Sequence, residues 1–379
     1  MFEYINTNKY FVQVAGSIEK HAAEELEGMG AEILQILPRG LRIQCAQKSL
    51  YEILYCSRLA QRVLAPLISF QCHSEKYLYS QAQNIDWTSL FQLKDTFSIT
   101  ANVSQSKINN SLYAGQLLKD AICDQFREKF DARPNFKTKE ADINFNLHLA
   151  SNWVTIYLDI IGSSMHKRAY KKMSYTAPLQ ETLAATILKL SEWDQTTPLH
   201  DIMCGSGTIL AEALMLKCKI PAGYLREDRT LYYLPDFDQN LWEEIRNNAD
   251  EKIIPVDDGL IKGSDESLDA IEVSRKNLEA LPYGDRVELS VARFQDLPKE
   301  ANRIIISNPP YGVRLGQRKA TEKLYNEIGD YLKQKCPQSV AYLLCGDKEL
   351  VSAIRLRAHW KKNLKNANLN VVLAKVIIR

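Results

Sequence analysis

Apolar positions along this chain recur at two spacings, and the way those spacings alternate divides it into three stretches. In the first 70 residues, Tyr10 to Val14 alternates as a strand does, and Ser17 to Met29 is amphipathic, with Gly28 and Gly30 at its end as a helix stop. Ala31 to Leu37 and Leu41 to Cys45 flank Pro38-Arg39-Gly40 and predict a hairpin, Ser49 to Arg58 a helix, and Val63 to Phe70 a strand. The order βαββαβ is that of a ferredoxin-like unit, which by itself is silent on function.

Residues 71–165 predict a second α+β unit. Phe97 to Val103 and Val154 to Ile160 alternate like half-buried strands, and Ser111 to Phe130 has helical spacing that ends at Asp131-Ala132-Arg133-Pro134. From about residue 166 short strands alternate with helices, the pattern of a doubly wound parallel sheet in an α/β fold. Its predicted helices are Pro178 to Leu190, Thr208 to Cys218, Glu266 to Ala280 and Thr321 to Gln334. The predicted strands are Pro198 to Met203, Leu260 to Gly263, Val287 to Ala292, Arg303 to Ser307, Val340 to Leu344 and the tail Asn370 to Ile378. Residues 219–259 interrupt this alternation as an insertion with a helix over Leu241 to Lys252. Three domains are therefore expected, at 1–70, 71–165 and 166–379.

Composition narrows the classes. The 379 residues are 45% apolar and 25% charged, as in a globular protein with well-buried cores. The net charge of +2 sets up no global field, so any nucleic-acid contact must be local. The eight cysteines show no CxxC or Cys/His metal spacing, which predicts reduced thiols and no bound metal. No run approaches the roughly 20 apolar residues of a membrane span. MFEYINTNKY lacks the basic flank and apolar core of a secretory signal, so a cytoplasmic protein is expected.

Candidate chemistry gathers at the predicted carboxyl ends of the strands in 166–379. "LHDIMCGSGTILAEA" (199–213) is a strand, a glycine turn and a helix start in which Gly205 and Gly207 allow close backbone approach to a ligand. It lacks the third glycine of a dinucleotide fingerprint and the lysine of a P-loop. Asp265 stands at the tip of the next strand, where a carboxylate can accept from a ribose diol. Asp296 ends the third, where it can accept from an adenine amine with Phe294 beside it to cover the ring. Each acid alone reads as a solvated loop residue. Three such signals in succession favour an adenosine-type ligand.

The fourth strand ends in Asn308-Pro309-Pro310-Tyr311. Alone this is a rigid turn. Read chemically, the Asn308 side-chain oxygen and the Pro309 carbonyl are two acceptors for an exocyclic NH₂, fixed by proline, with Tyr311 as a stacking face. His200 is read as packed or solvated, not as a general base. Cys204 is read as turn packing, because cytosine-C5 chemistry would need a cysteine in the proline-containing loop.

The segments "APLQETLAA" (177–185), "DIMCGSGT" (201–208), "GSDES" (263–267), "FQDLP" (294–298) and "SNPPYGVRLG" (307–316) together resemble the class I S-adenosylmethionine-dependent methyltransferases of exocyclic base amines. The chain is most similar to their THUMP-containing RNA branch, the bacterial 23S ribosomal RNA guanine-N2-methyltransferases, with "HKRAY", "LPDFDQNLWEEI" and "LLCGDKEL" in further agreement. The resemblance implies a ferredoxin-like domain, a THUMP domain and a Rossmann-like catalytic domain, with S-adenosylmethionine as cofactor. It places Asp201, Cys204, Gly205, Gly207, Thr208, Asp265, Phe294, Asp296 and Asn308 at the cofactor, and Asn308, Pro309, Pro310 and Tyr311 at the target base. Ile202 departs from the family's frequent proline. Transfer RNA guanine methylation, DNA adenine-N6 methylation and a non-catalytic RNA-binding factor stay open as alternatives.

Two basic segments stand out for RNA. "HKRAYKK" offers Lys167, Arg168, Lys171 and Lys172 around Tyr170, for phosphate contact with stacking, and "RLRAHWKKNLK" (355–365) reads equally as a solvated face.

Overall fold

A computed structural model describes residues 2–173, 179–227, 229–311, 318–366 and 369–379, with the backbone alone at 229. Positions 177–178 of the first motif, with the start of the helix predicted from Pro178, and 312–316 of the NPPY segment lie outside the described residues. The elements of the N-terminal half are α1 (Glu3–Thr7), β1 (Lys9–Val14), α2 (Glu19–Glu27), β2 (Glu32–Leu37), β3 (Gly40–Gln44), α3 (Gln47–Cys56), β4 (Ala60–Gln71), α4 (Glu75–Gln83), β5 (Thr96–Ser104), α5 (Ser111–Phe130), β6 (Asn135–Phe136), β7 (Ile143–Ala150) and β8 (Trp153–Asp159). Those that follow are α6 (Glu181–Ser191), β9 (Leu199–Asp201), α7 (Thr208–Lys217), α8 (Gln239–Asp250), β10 (Ile261–Asp265), α9 (Leu268–Leu278), β11 (Glu288–Val291), β12 (Ile304–Ser307), α10 (Arg318–Lys335), β13 (Val340–Cys345), α11 (Lys348–Ala353), β14 (Ala358–Asn366) and β15 (Leu369–Ile377).

The chain forms two compact units, the first made of Met1–Val14, Ala22–Met165 and Arg226–Arg246. Its eight strands make one sheet in the order β2-β3-β1-β4-β8-β7-β5-β6, so strands from both expected N-terminal stretches share it through the β4–β8 pairing. The predicted βαββαβ order is present in β1 to β4. Helix α5 has the predicted limits because both ends are capped. Asn110 Oδ1 accepts from the Tyr113 N–H, and Asp131 closes the helix in the left-handed region at φ 52°. Two strands of this unit run where none is predicted, the two-residue β6 and the longer β7. In β7 the sequence INFNLHLA alternates, with Asn144 half-buried, Asn146 buried and His148 exposed.

Residues 226–246 lie within the sequence stretch assigned to the third domain but pack in the first unit. Trp242 meets Tyr51 edge-on at 5.6 Å and Tyr55 at 5.8 Å, Tyr4 Oη donates to Asp236 Oδ1 at 2.7 Å, and Thr230 Oγ1 donates to the Asp142 carbonyl at 3.0 Å. Burial of these aromatic faces holds the insertion there.

The second unit is built on a seven-stranded sheet, β11-β10-β9-β12-β13-β15-β14, parallel from β11 to β13 and antiparallel across β15 and β14. β9 lies between β10 and β12, so the winding reverses there, and a crevice opens at the carboxyl ends of these strands. β13 is almost wholly buried and β15 is buried over Val371 to Ala374, whereas β14 is an edge strand whose His359, Lys361, Asn363 and Lys365 are exposed. The segment 355–365, read from the sequence as a basic face, is therefore largely strand. Lysines along an edge also discourage pairing with another chain.

Helix α10 packs closely on α11 at Gly329, where an added Cβ would lie 1.8 Å from the Ile354 carbonyl oxygen. Helix propensity favours alanine over glycine by about 1 kcal/mol, but here the obstacle is backbone. Gly329→Ala is expected to destabilise the protein by roughly 2 kcal/mol, through overpacking, in denaturant unfolding.

Candidate active site

The glycine turn after β9 is shaped by close contacts. Gly207 has φ +75°, and a side chain there would bring Cβ to 2.9 Å from Ser274 Oγ. Gly205 has φ +54° and faces open space, with nothing within 4 Å of an added Cβ. Asp265, at the end of β10, holds this turn from the neighbouring strand. Its Oδ2 accepts from the Gly205 N–H at 3.0 Å and its Oδ1 from the Ser267 N–H at 3.0 Å. Thr208 opens α7 and is buried, with its hydroxyl 3.4 Å from Ser206 Oγ.

Asp201 ends β9 and is enclosed, with 1% of its surface exposed. Its Oδ1 accepts from Ser307 Oγ at 2.7 Å and from the Met203 N–H at 3.2 Å. Burial, with the Asp265 charge adding to it, pushes its pKa up to about 7 against the pull of these two hydrogen bonds. The space at Gly205 and the carboxylates on two adjacent strand ends suit a ligand carrying a hydroxyl pair and a cationic amine, and the N-terminal amides of α7 suit an anionic group on it.

Three residues that shape this turn are absent from the sequence-based site. Ser307 ties β12 to Asp201. Ser274 Oγ donates to the Gly205 carbonyl at 2.7 Å. Asn277, fully buried on α9, donates through Nδ2 to the Ser206 carbonyl at 3.0 Å and accepts through Oδ1 from the N–H groups of Lys172 at 2.9 Å and Met173 at 3.2 Å. The available signal is a Ser and an Asn on the otherwise apolar face of α9, formed by Ala270, Ile271, Val273 and Leu278.

The NPPY segment leaves β12 beside this turn. Pro309 is buried, Asn308 and Tyr311 are half-buried, and Pro310 is exposed. Tyr311 Oη donates to Asn308 Oδ1 at 2.5 Å, and Asn366 Nδ2 stands 3.5 Å from Tyr311 Oη. Gly346 makes room for the tyrosine, since a Cβ there would lie 2.9 Å from Tyr311 Cβ.

Other predicted residues are placed differently. Phe294 is 4% exposed and packs edge-on against Tyr331 at 5.6 Å, in the core shared by α10, β13 and β15, so it does not lie open to cover a ligand ring. Asp296 is exposed at the end of the same turn. The basic segment 166–172 is only partly exposed. Arg168 and Tyr170 are buried around Glu212 of α7, with Arg168 Nε and Tyr170 Oη each 3.4 Å from Glu212 Oε1. They are therefore not available for RNA contact. Lys171 Nζ donates to the Leu179 carbonyl at 2.6 Å and lies 3.3 Å from Glu181, while Lys167 and Lys172 remain exposed. Removing one partner of a buried ion pair strands the other charge. Arg168→Ala should therefore cost about 3 kcal/mol of stability and Lys167→Ala almost nothing, as read by chemical denaturation.

His200 is buried between Ser264 Oγ and Glu300, so it is packed rather than solvated, and burial lowers its pKa. Cys204 is buried beside Ser274 with its thiol pushed well above the ordinary range by desolvation, which leaves no thiolate nucleophile. All eight cysteines are free thiols. Among the described residues no helix is long and apolar enough to cross a membrane, and no group of three His, Cys, Asp or Glu is placed to hold a metal.

A seven-stranded sheet of this topology, with a glycine turn, a strand-end carboxylate and NPPY along one edge, defines a methyltransferase domain. Residues 168–375 match the family described as "RMKL-like, methyltransferase domain", and the chain belongs to that family. Residues 9–64 match an RlmL ferredoxin-like domain and residues 72–159 a THUMP domain. A Synechocystis sp. protein named "Putative RNA methyltransferase slr0064" is 33% identical over 97% of this chain and 96% of its own length. The protein "Ribosomal RNA large subunit methyltransferase K/L" of Psychromonas ingrahamii is 36% identical over 96% of this chain and 49% of its own length. The chain thus spans about half the length of the K/L relatives it matches. A solved structure described as "SMU.472, a putative methyltransferase complexed with SAH" superposes with a TM-score of 0.86 at 27% identity, covering 98% of both chains.

Proposed function

We propose that this chain is an RNA methyltransferase that transfers the methyl group of S-adenosylmethionine to an exocyclic base amine, guanine N2 of 23S ribosomal RNA. The observation that carries the proposal is the 2.7 Å hydrogen bond from Ser307 to Asp201, which locks the strand leading into Asn308-Pro309-Pro310-Tyr311 against the carboxylate beside the glycine turn. A ligand seated on the turn and a base held by NPPY would then meet across two adjacent strands. The names of the K/L relatives and the THUMP match support RNA as substrate.

When bound, S-adenosylmethionine supplies an electrophilic methyl carbon on a sulfonium. Asp265 suits its ribose hydroxyls, Asp296 its adenine amine, and Asp201 with the turn at Gly205 and Gly207 its amino-acid end. Asn308 Oδ1 and the Pro309 carbonyl accept the two amine N–H groups, which frees the nitrogen lone pair from the ring and aims it at the methyl carbon. The N–C bond forms as the S–C bond breaks, and the amine then loses one proton to solvent. Tyr311 stacks on the base, and Lys167 and Lys172 contact phosphate from the exposed part of their segment, in the cytoplasm. A base inside a stem must be unstacked to reach Asn308.

The test is methyl transfer from labelled S-adenosylmethionine to 23S ribosomal RNA, transfer RNA and DNA in parallel. Label in N2-methylguanosine of ribosomal RNA supports the reading. Label confined to DNA adenine overturns it.

A further inference from the structure

Resting on the reading above, we infer that Tyr311 acts through its hydroxyl as a positioning residue for Asn308, and that Asn366 completes the arrangement from the hairpin of β14 and β15. The three side chains form a directed chain. Asn366 Nδ2 lies 3.5 Å from Tyr311 Oη, and Tyr311 Oη donates to Asn308 Oδ1 at 2.5 Å. An amide nitrogen can only donate, so the phenol accepts from Asn366 and turns its single proton toward Asn308.

The consequence concerns which end of the Asn308 carboxamide meets a substrate. Its oxygen and nitrogen have nearly the same shape and opposite hydrogen-bonding roles. With the nitrogen forward, N–H would face the N–H of an exocyclic amine and repel it. A proton delivered by Tyr311 selects the oxygen-forward state. An amide oxygen carries two lone pairs, so one remains for the amine.

The surroundings hold the phenol in this role. Gly346 permits the close approach of Tyr311 Cβ, and Asn366 sits where β14 ends, paired with Leu369 of β15. Burial is the largest influence on the phenol and raises its pKa, so it stays protonated through the neutral range. Tyr311 thus has two separable parts, a ring for stacking and a hydroxyl for orienting Asn308.

Tyr311→Phe keeps the ring and removes the hydroxyl. In the full chain it should lower kcat for RNA methylation roughly tenfold, the size one neutral hydrogen bond supports. KM for RNA and affinity for S-adenosylmethionine should stay within about twofold. Asn366→Ala should cost about threefold in the wild-type background and nothing further on top of Tyr311→Phe, because the two act through one chain. In the ligand-free protein, the side-chain amide resonances of Asn308, assigned by their loss in Asn308→Ala, should move on Tyr311→Phe. Unmoved resonances, an undiminished kcat in Tyr311→Phe, or an Asn366→Ala loss of equal size in both backgrounds would overturn the inference. If the wild-type chain methylates no RNA amine, the proposed function fails instead, and the ligand-free resonances alone decide the role of the hydroxyl.

Discussion

Asn308→Ala is expected to cut methyl transfer by roughly 10²–10³-fold while S-adenosylmethionine still binds, a loss of the order seen when a preorganised hydrogen-bonding group at a reacting centre is removed. The reason is geometric. β12 is buried over Ile305 to Ser307, and Ser307 is tied to Asp201, so the position after it is held against the glycine turn. An exocyclic amine is a poor nucleophile because its lone pair is delocalised into the base. Only acceptors on both N–H groups bring the nitrogen toward a reactive shape. Alanine deletes one acceptor and leaves the Pro309 carbonyl alone. Single-turnover rates together with calorimetric S-adenosylmethionine affinity separate this loss from a folding defect, and an unchanged rate would remove Asn308 from the chemistry.

Asp201→Asn is expected to stabilise the protein above pH 7 and to weaken S-adenosylmethionine binding. The Asp201 carboxyl is raised from the ordinary 3.8 to about 7, with burial as the first cause. The folded state therefore holds this proton more tightly than the unfolded state. Ionisation costs nothing below about pH 4, costs progressively more as pH rises, and levels off once pH passes about 7. The full displacement converts to about 4 kcal/mol. Asparagine keeps an oxygen for Ser307 and the Met203 N–H without the charge, so wild-type and Asp201→Asn should have similar stability at pH 4 and differ most at pH 8. Denaturant midpoints across this range measure the difference. Binding should run the other way, because an ionised carboxylate attracts a cationic amine and an amide does not. Such a trade of stability for function fits a site residue.

Much of the second unit was legible because its strands are short apolar runs separated by glycine, acid and proline signals. Asp201, Gly205, Gly207, Asp265 and Asn308 gather at one sheet edge because parallel strands all end on the same side. The burial of Phe294 was not legible, because residues two apart in a tight turn face different environments, here core for Phe294 and solvent for Asp296. Arg168 and Tyr170 were misread because a run of basic letters looks solvated, whereas their partner Glu212 is 44 residues on from Arg168 and inside an otherwise apolar helix. β14 was hidden by Lys and Asn on its outward face, while Trp360 and Leu364 kept the inward period. Ser307 matters through the Asp201 side chain across two strands, and Ser274 and Asn277 through backbone carbonyls of the glycine turn, contacts announced only by two polar residues on the apolar face of α9.

The measurement that bears most directly on the central claim is mass spectrometry of nucleosides from RNA incubated with the purified chain and deuteromethyl S-adenosylmethionine. The label is expected on the exocyclic N2 of guanosine in 23S ribosomal RNA, and is expected to be lost with Asn308→Ala. Label on a ring carbon or a ribose hydroxyl, or none in any RNA, would contradict that claim.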